Sequence, residues 1–295
     1  MINKPGVYKL SMDEYHGDPC ETPSLSRGMI KDILDLTPQH VWFNSPTLNP
    51  HHVPEDKEEK FDIGTASHSL FLQGDDIVAV IEADDWRTKA AKEQREQARK
   101  DGKIPLLARQ YEGVKHLVAS AKKKITECEE LGIEVLQDEG DAELSYLWKE
   151  GDLWMRCRPD WVSHDRKLIL DYKTTDITAN PEVWGAKIVN TGLDIQEHLY
   201  RRGVFNVEET DKKLIGWPKF VFFVQEIFPP YLCSFICASP RIQDMGRQKT
   251  NFGMFIFKMC LEQDKWESYP KQVCHVEAPE WSFNAWDKKA AEIGI

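Results

Sequence analysis

The spacing of apolar positions along the chain changes period as it runs, and each change predicts an element. Ser24 to Leu36 reads as a short helix, capped by Ser24 or Ser26 and closed ahead of Pro38. Residues 44–60, rich in proline, histidine and charge, read as a surface loop. From Phe61 to Gln73, the residues Ile63, Ala66 and Leu70 recur at helical spacing, and Gly74 stops the run. Residues 86–100 and 106–131 read as two further helices, separated by Asp101-Gly102 and Pro105.

The period then shortens to two. Ala142–Lys149, Leu153–Val162 and Lys167–Lys173 read as three consecutive strands, the first two joined by a tight turn at Glu150-Gly151-Asp152. Helices return over 182–190 and 193–205, opened by Pro181 and divided at Thr191-Gly192. Lys219–Ile227 and Tyr231–Ala238 are strands on either side of Pro229-Pro230. A helix of about 20 residues follows Pro240. The tail beyond it is rich in tryptophan, and Trp266, Trp281 and Trp286 are expected to pack back on the body. This order predicts one mixed α/β domain over residues 1–295. Its core spans about 60–240, a central mixed β-sheet flanked by helices; a helix and loop occupy 1–60, and a helix and tail 241–295.

Composition narrows the class. With 295 residues, 41% of them hydrophobic and 29% charged, the chain is neither disordered nor a small disulfide scaffold. Its longest strongly apolar run, Phe220 to Val224, is far short of a membrane span, and residues 1–20 show no secretory leader. A cytoplasmic protein with no membrane partner is expected. The seven cysteines are odd in number and irregularly spaced, which reads as free thiols in a reducing compartment. Cys233 and Cys237 lie in an apolar run and read as small buried hydrophobes.

Charge is asymmetric. The net value is −11, yet Trp86 to Lys124 holds 12 Lys and Arg against 4 Asp and Glu, a local +8 that leaves −19 elsewhere. Such a stretch suits either a polyanion partner or a solvated helical face.

The informative chemistry lies in Arg156-Cys157-Arg158-Pro159-Asp160 and, after a turn, Leu168-Ile169-Leu170-Asp171-Tyr172-Lys173. Residues i and i+2 of a strand share a face, so Asp171 and Lys173 point the same way. Asp160 closes the preceding strand, and pairing of the two strands brings both carboxylates together at the sheet's rim. Such close carboxylates repel unless a divalent cation lies between them, and hard oxygen donors suit Mg²⁺ or Mn²⁺. A neighbouring lysine can orient water or meet charge on a phosphate. The alternative is an ordinary surface ion pair.

Two further groups join it. Gly64-Thr65-Ala66-Ser67-His68 places His68 one helical turn beyond Gly64, as a nitrogen ligand or as a hydrogen-bonded helix histidine. Gln196 and Tyr200, four apart, share one helix face ahead of Arg201-Arg202. Beside a metal they would orient a phosphate or a base; otherwise they are half-buried helix surface.

Together, Gly64…His68, Pro159-Asp160, Asp171-Tyr172-Lys173 and Gln196…Tyr200, in this order, make the chain resemble the PD-(D/E)XK nuclease superfamily. Within it the chain is similar to the exodeoxyribonuclease VIII type of prophages, with lambda exonuclease and RecB-like domains as more distant relatives. The resemblance covers roughly residues 22–240. It implies a restriction-endonuclease-like core and a Mg²⁺-dependent deoxyribonuclease. It implies an exonuclease on duplex DNA ends in phage-type recombination, working with a single-strand annealing protein and closed into a homo-oligomeric ring. Asp160 and Asp171 would be metal ligands with the backbone carbonyl of Tyr172, and His68 the additional ligand. Lys173 would position the attacking water, and Gln196 and Tyr200 would support the site and contact DNA. Glu143 would serve a second ion or be an exposed strand glutamate, and Arg27 would meet a terminal 5′ phosphate. DNA would lie in a channel lined by Arg156, Arg158, Lys173, Lys187, Arg201 and Arg202, with the helices of 86–131 as a basic wall.

The seven thiols do not match the cysteine set of iron–sulfur relatives, so no cluster is expected. GxxxxGK[ST] is absent, so no ATP is expected either. The competing readings are a structure-specific or single-strand endonuclease, and a catalytically silent DNA-binding recombination module.

Overall fold

A computed structural model of the chain describes residues 1–53, 63–74, 77–131, 140–207 and 216–294. Residues 54–60 of the expected loop, and the start of the expected helix at Phe61, lie outside them. The N-terminal segment supplies more than a helix and loop: strand β1 (Gly6–Tyr8), helix α1 (Met12–His16), strand β2 (Ser24–Leu25), helix α2 (Arg27–Asp35) and helix α3 (Pro38–Asn44). Ser24 is thus a strand residue rather than a cap, and α2 starts after an extended Ser26. Pro38 opens α3 at its first turn, where its missing N–H has no helical partner to lose.

Helix α4 (Ile63–Gln73) is the expected one, ending at Gly74. The two helices expected downstream are α5 (Lys89–Lys100) and α6 (Ala108–Thr126). On either side of α5 the chain forms a parallel pair missed by pattern, β3 (Val78–Ile81) with β4 (Ile104–Leu107), so that β3, α5 and β4 make a small βαβ unit.

The run read as three strands is five, cut by two corners. β5 (Gly140–Ala142) stops at Glu143, whose φ of +53° turns the chain away. β6 (Ser145–Glu150) and β7 (Leu153–Cys157) form the expected hairpin, with Gly151 at φ +62° in its turn. Arg158-Pro159-Asp160 breaks the strand expected to continue, and β8 (Trp161–Ser163) and β9 (Leu168–Thr175) follow. The corners touch: the backbone N–H of Glu143 donates to the Asp160 carbonyl at 3.0 Å.

Helices α7 (Pro181–Asn190) and α8 (Leu193–Val207) connect β9 to β10 (Lys219–Glu226), which lies parallel beside it. Strand β11 (Cys233–Ile236) returns antiparallel, and helix α9 (Pro240–Gln263) and helix α10 (Glu280–Ile293) complete the chain.

Two sheets carry the body. One has the order β1-β6-β7-β2 and the other β11-β10-β9-β8-β5. Alternation along β9 and β10 divides the core. Ile169, Phe220, Phe222 and Val224 pack with Trp184, Ile188 and Leu199 of α7 and α8, while Leu170, Tyr172, Val221 and Phe223 pack with α4 and α6. Helix α9 lies close against α8, because a Cβ at Gly246 would stand 2.1 Å from the Asp194 carbonyl oxygen.

The tail differs in part from expectation. Trp266 does pack back, edge-on to Phe257 at 5.7 Å. Trp281 and Trp286 do not: no residue of α10 is buried. Among the described residues no helix is long and apolar enough to cross a membrane, and all seven cysteines are free.

Candidate active site

Strand register assembles the centre. β8 and β9 run antiparallel with Trp161 opposite Leu170 and Val162 opposite Ile169, so Asp160 falls opposite Asp171. The ladder itself stops there. In its place the Tyr172 backbone N–H donates to the Asp160 carboxylate, Oδ2, at 2.8 Å. Asp160 at the chain corner is thereby fixed to the middle of β9.

Asp171 faces α8, where Gln196 Nε2 donates to its Oδ2, and Lys173 forms an ion pair with its Oδ1. Asp171 is fully buried, not a rim residue, while the Lys173 side chain is partly exposed. Burial pushes the Asp171 carboxyl up to about 6; Lys173 opposes that shift and Asp160 adds to it. Burial would depress the Lys173 ammonium, but Asp171 and Asp160 outweigh it and hold the group above its ordinary value.

From the other face of the sheet, α4 delivers His68. Its Nε2 lies 3.0 Å from Asp160 Oδ2, and its ring stacks on Tyr172 at 5.8 Å between centroids. Burial works against the imidazolium, and Asp160 overrides it, so His68 titrates above its ordinary value. Burial likewise opposes ionised Asp160, and Lys173 with His68 overrides that, holding Asp160 low. Glu143 is no exposed strand residue. It sits at its corner, partly buried, with Oε2 accepting from Arg158 Nη2 at 3.0 Å and Oε1 3.9 Å from His68 Nδ1.

Tyr200, one turn beyond Gln196, packs at the edge of the core against Phe220. Burial first, then Tyr15 and Asp171, holds its phenol protonated well above the ordinary value.

The expected arginines divide. Arg27 reaches the end of α7, donating from Nη2 to the Thr191 carbonyl at 2.6 Å and from Nε to Gly192 at 3.2 Å. Its charge is felt at Lys173, so it stands beside the centre. Lys187 Nζ lies 3.4 Å from Thr175 Oγ1 on the same side of β9. The other four do not line an open channel. Arg156 is buried in an ion pair with Asp18 at 3.0 Å and bonded to Ser24, and Arg158 holds Glu143 and the Leu10 carbonyl. Arg201 holds Glu197 at 2.8 Å, and Arg202 grips Glu150 with two nitrogens. The N-terminal segment, through Asp18, Ser24 and Leu10, covers Arg156 and Arg158.

One residue was missed. Gln225 accepts from the Tyr172 hydroxyl at 2.5 Å and donates from Nε2 to the Leu117 carbonyl at 3.0 Å, anchoring the ring on which His68 stacks. A lone glutamine ending the apolar run Phe220–Val224 was its signal in sequence.

Two carboxylates, an imidazole and a strand carbonyl are hard or borderline donors that suit a small divalent cation. Among the described residues no group of three or more His, Cys, Asp or Glu side chains is gathered as a ready cage. Here Lys173 neutralises Asp171 and His68 engages Asp160. The donor chemistry fits an ion that would compete with these contacts.

A mixed α/β fold with two aspartates brought together by antiparallel register, a lysine two residues beyond the second, and helices on both faces is consistent with a restriction-endonuclease-like core. No protein-family model matches the chain, and no curated protein does. Among solved structures, it is similar to the crystal structure of a protein named "Putative exonuclease" from Eubacterium rectale. The TM-score is 0.54 at 11% identity, over 94% of this chain and 99% of that one. The two share a fold.

Proposed function

We infer that the chain is a metal-dependent deoxyribonuclease, an exonuclease acting on duplex DNA ends in recombination of the phage type. The observation that carries this reading is the convergence of Asp160, Asp171, Lys173 and Gln196 at one point of the β8–β9 register. The name of the fold neighbour points the same way. Mg²⁺ or Mn²⁺ held by Asp160, Asp171, His68 and the Tyr172 carbonyl would supply Lewis-acid polarisation of the scissile phosphate.

The protein's own groups do the rest. Gln196 fixes one carboxylate oxygen of Asp171 and the Tyr172 N–H one of Asp160, so both acids keep their positions when Lys173 and His68 release them. Lys173, freed from Asp171, holds the attacking water and faces the negative charge that grows on the phosphate. Tyr200 stays protonated and can donate to a phosphate oxygen. Arg27 and Lys187 offer cationic ends on the same side for the strand's phosphates; Arg27 suits a terminal one. Single-strand annealing protein and ring assembly belong to the reading as partners of such an enzyme.

The test is end-labelled linear duplex incubated with the purified chain, with Mg²⁺ and with chelator, followed as product length over time. Progressive shortening that chelator abolishes supports the reading. Cleavage of covalently closed circles would make it an endonuclease, and binding without any cleavage would leave a silent DNA-binding module.

A further inference from the structure

Glu143 takes a backbone conformation that its residue type disfavours. At φ +53° a glycine or an asparagine would sit with less strain. The chain keeps a glutamate there, with its side chain turned inward and only 15% exposed. Strain of this kind persists where the surroundings over-determine it, and it gathers at functional sites.

The surroundings hold Glu143 by backbone and by side chain. Its backbone N–H donates to the Asp160 carbonyl at 3.0 Å. Its Oε2 accepts from Arg158 Nη2 at 3.0 Å, while Oε1 lies toward His68, 3.9 Å from Nδ1. Arg158 is anchored in turn, donating from Nη1 to the Leu10 carbonyl at 2.6 Å, and its side chain is 12% exposed. A rigid guanidinium fork held in this way fixes the orientation of the carboxylate beside it.

His68 is thus approached from three directions. Nε2 meets Asp160 Oδ2 at 3.0 Å, the ring face stacks on Tyr172, and Nδ1 looks toward Glu143. The last approach is about 1 Å beyond hydrogen-bond length, and contacts of this kind often tighten only once a site is loaded. A histidine that ligates through one nitrogen is oriented by a carboxylate at the other, which sets its tautomer and raises its basicity.

We propose that Glu143, held by Arg158, is the positioning residue of His68: it orients the imidazole through Nδ1, so that Nε2 is the atom offered to a divalent cation. This role rests on the reading of His68 as an ion ligand. It differs from contact with DNA, for Arg158, and from ligation of a second ion, for Glu143. The corner that delivers Asp160 then carries the support of His68 as well.

The test is Mn²⁺ binding to the full chain without DNA, read by calorimetry and by the ¹⁴N modulation of bound Mn²⁺ in pulsed electron paramagnetic resonance. The variants are His68→Ala, Glu143→Gln, Arg158→Lys and the His68→Ala/Glu143→Gln pair, with circular dichroism confirming each fold. An amide has one acceptor oxygen, which cannot serve both Arg158 and His68. Glu143→Gln and Arg158→Lys should each weaken Mn²⁺ about 10–100-fold. At saturating Mn²⁺ the ¹⁴N signal of the wild type should vanish in His68→Ala and fall in Glu143→Gln. Because Glu143 acts through the imidazole, Glu143→Gln should change affinity less than about twofold in the His68→Ala background. A wild-type chain without ¹⁴N modulation would sink the reading of His68 as a ligand, and the proposal with it. A signal lost in His68→Ala but intact in Glu143→Gln would overturn the proposal alone. So would a further fall in affinity in the paired variant, which would make Glu143 a ligand in its own right.

Discussion

Gln196 donates its side-chain amide to the carboxylate of Asp171, tying helix α8 to the middle of strand β9 at a position sealed from solvent. The helix thereby sets which carboxylate oxygen stays available for other work. In Gln196→Leu that oxygen loses its donor while buried. Melting should shift by about 1–3 kcal/mol of lost stability, and Mg²⁺-dependent cleavage should fall about 10–100-fold. Unaltered turnover in a folded Gln196→Leu chain would remove Gln196 from the site.

The raised proton affinity of Asp171 predicts how ion binding depends on pH. A proton competes with the ion below about 6, where the carboxyl becomes neutral. Calorimetric Mg²⁺ affinity should therefore weaken by about tenfold or more per pH unit under that value, and level off only above the raised titration of His68, which must also lose its proton to hold the ion. The ion-free chain follows the opposite sign. A carboxyl raised in the folded state stabilises it below the unfolded value of about 3.9, and that contribution is lost as pH climbs through about 6. An affinity indifferent to pH would contradict the assignment of Asp171 as a ligand.

Arg156 is expected to matter for folding rather than for DNA. Its guanidinium is the buried counter-charge of Asp18. Arg156→Ala leaves that carboxylate uncompensated and should cost about 3–5 kcal/mol by chemical denaturation. The salt dependence of DNA binding should keep its slope. A slope lowered by about one would restore Arg156 to the phosphate contacts.

His198 offers a check away from the centre. Burial first, then Arg202, Arg201 and Arg247, depresses its imidazole to about 4. Its contribution to stability is present above the unfolded value of about 6.5 and is lost as pH falls toward about 4, amounting to about 3 kcal/mol. His198→Phe, which keeps a ring beside Trp217, should flatten the acid side of the melting curve. Parallel curves for the two chains would refute it.

Much of this was legible because it is local. The alternation Asp171-x-Lys173, the four-residue spacing of Gln196 and Tyr200, and the proline ahead of Asp160 each specify direction within one element. What escaped depends on distant partners. Arg156 and Arg158 read as a basic lining until Asp18, Ser24 and Leu10, more than a hundred residues earlier, fold over them. β1 and β2 are three and two residues long, too short to show a period, and they exist because β6 and β7 offer them an edge. β3 and β4 were obscured by Pro105 and by the charged helix between them. The tail was expected to pack because tryptophan favours burial, a preference that does not specify what the ring packs against.

The back-to-back bends at Glu143 and Asp160 have a mechanical consequence. The backbone switches between the two sheets at both, and an amide of one bend is latched to a carbonyl of the other. Whatever grips the acids there also fastens a clasp joining the halves of the body. Occupancy of that clasp should slow amide hydrogen exchange in β6 and β7 as well as in β8 and β9, so a small ion would be felt across the whole scaffold.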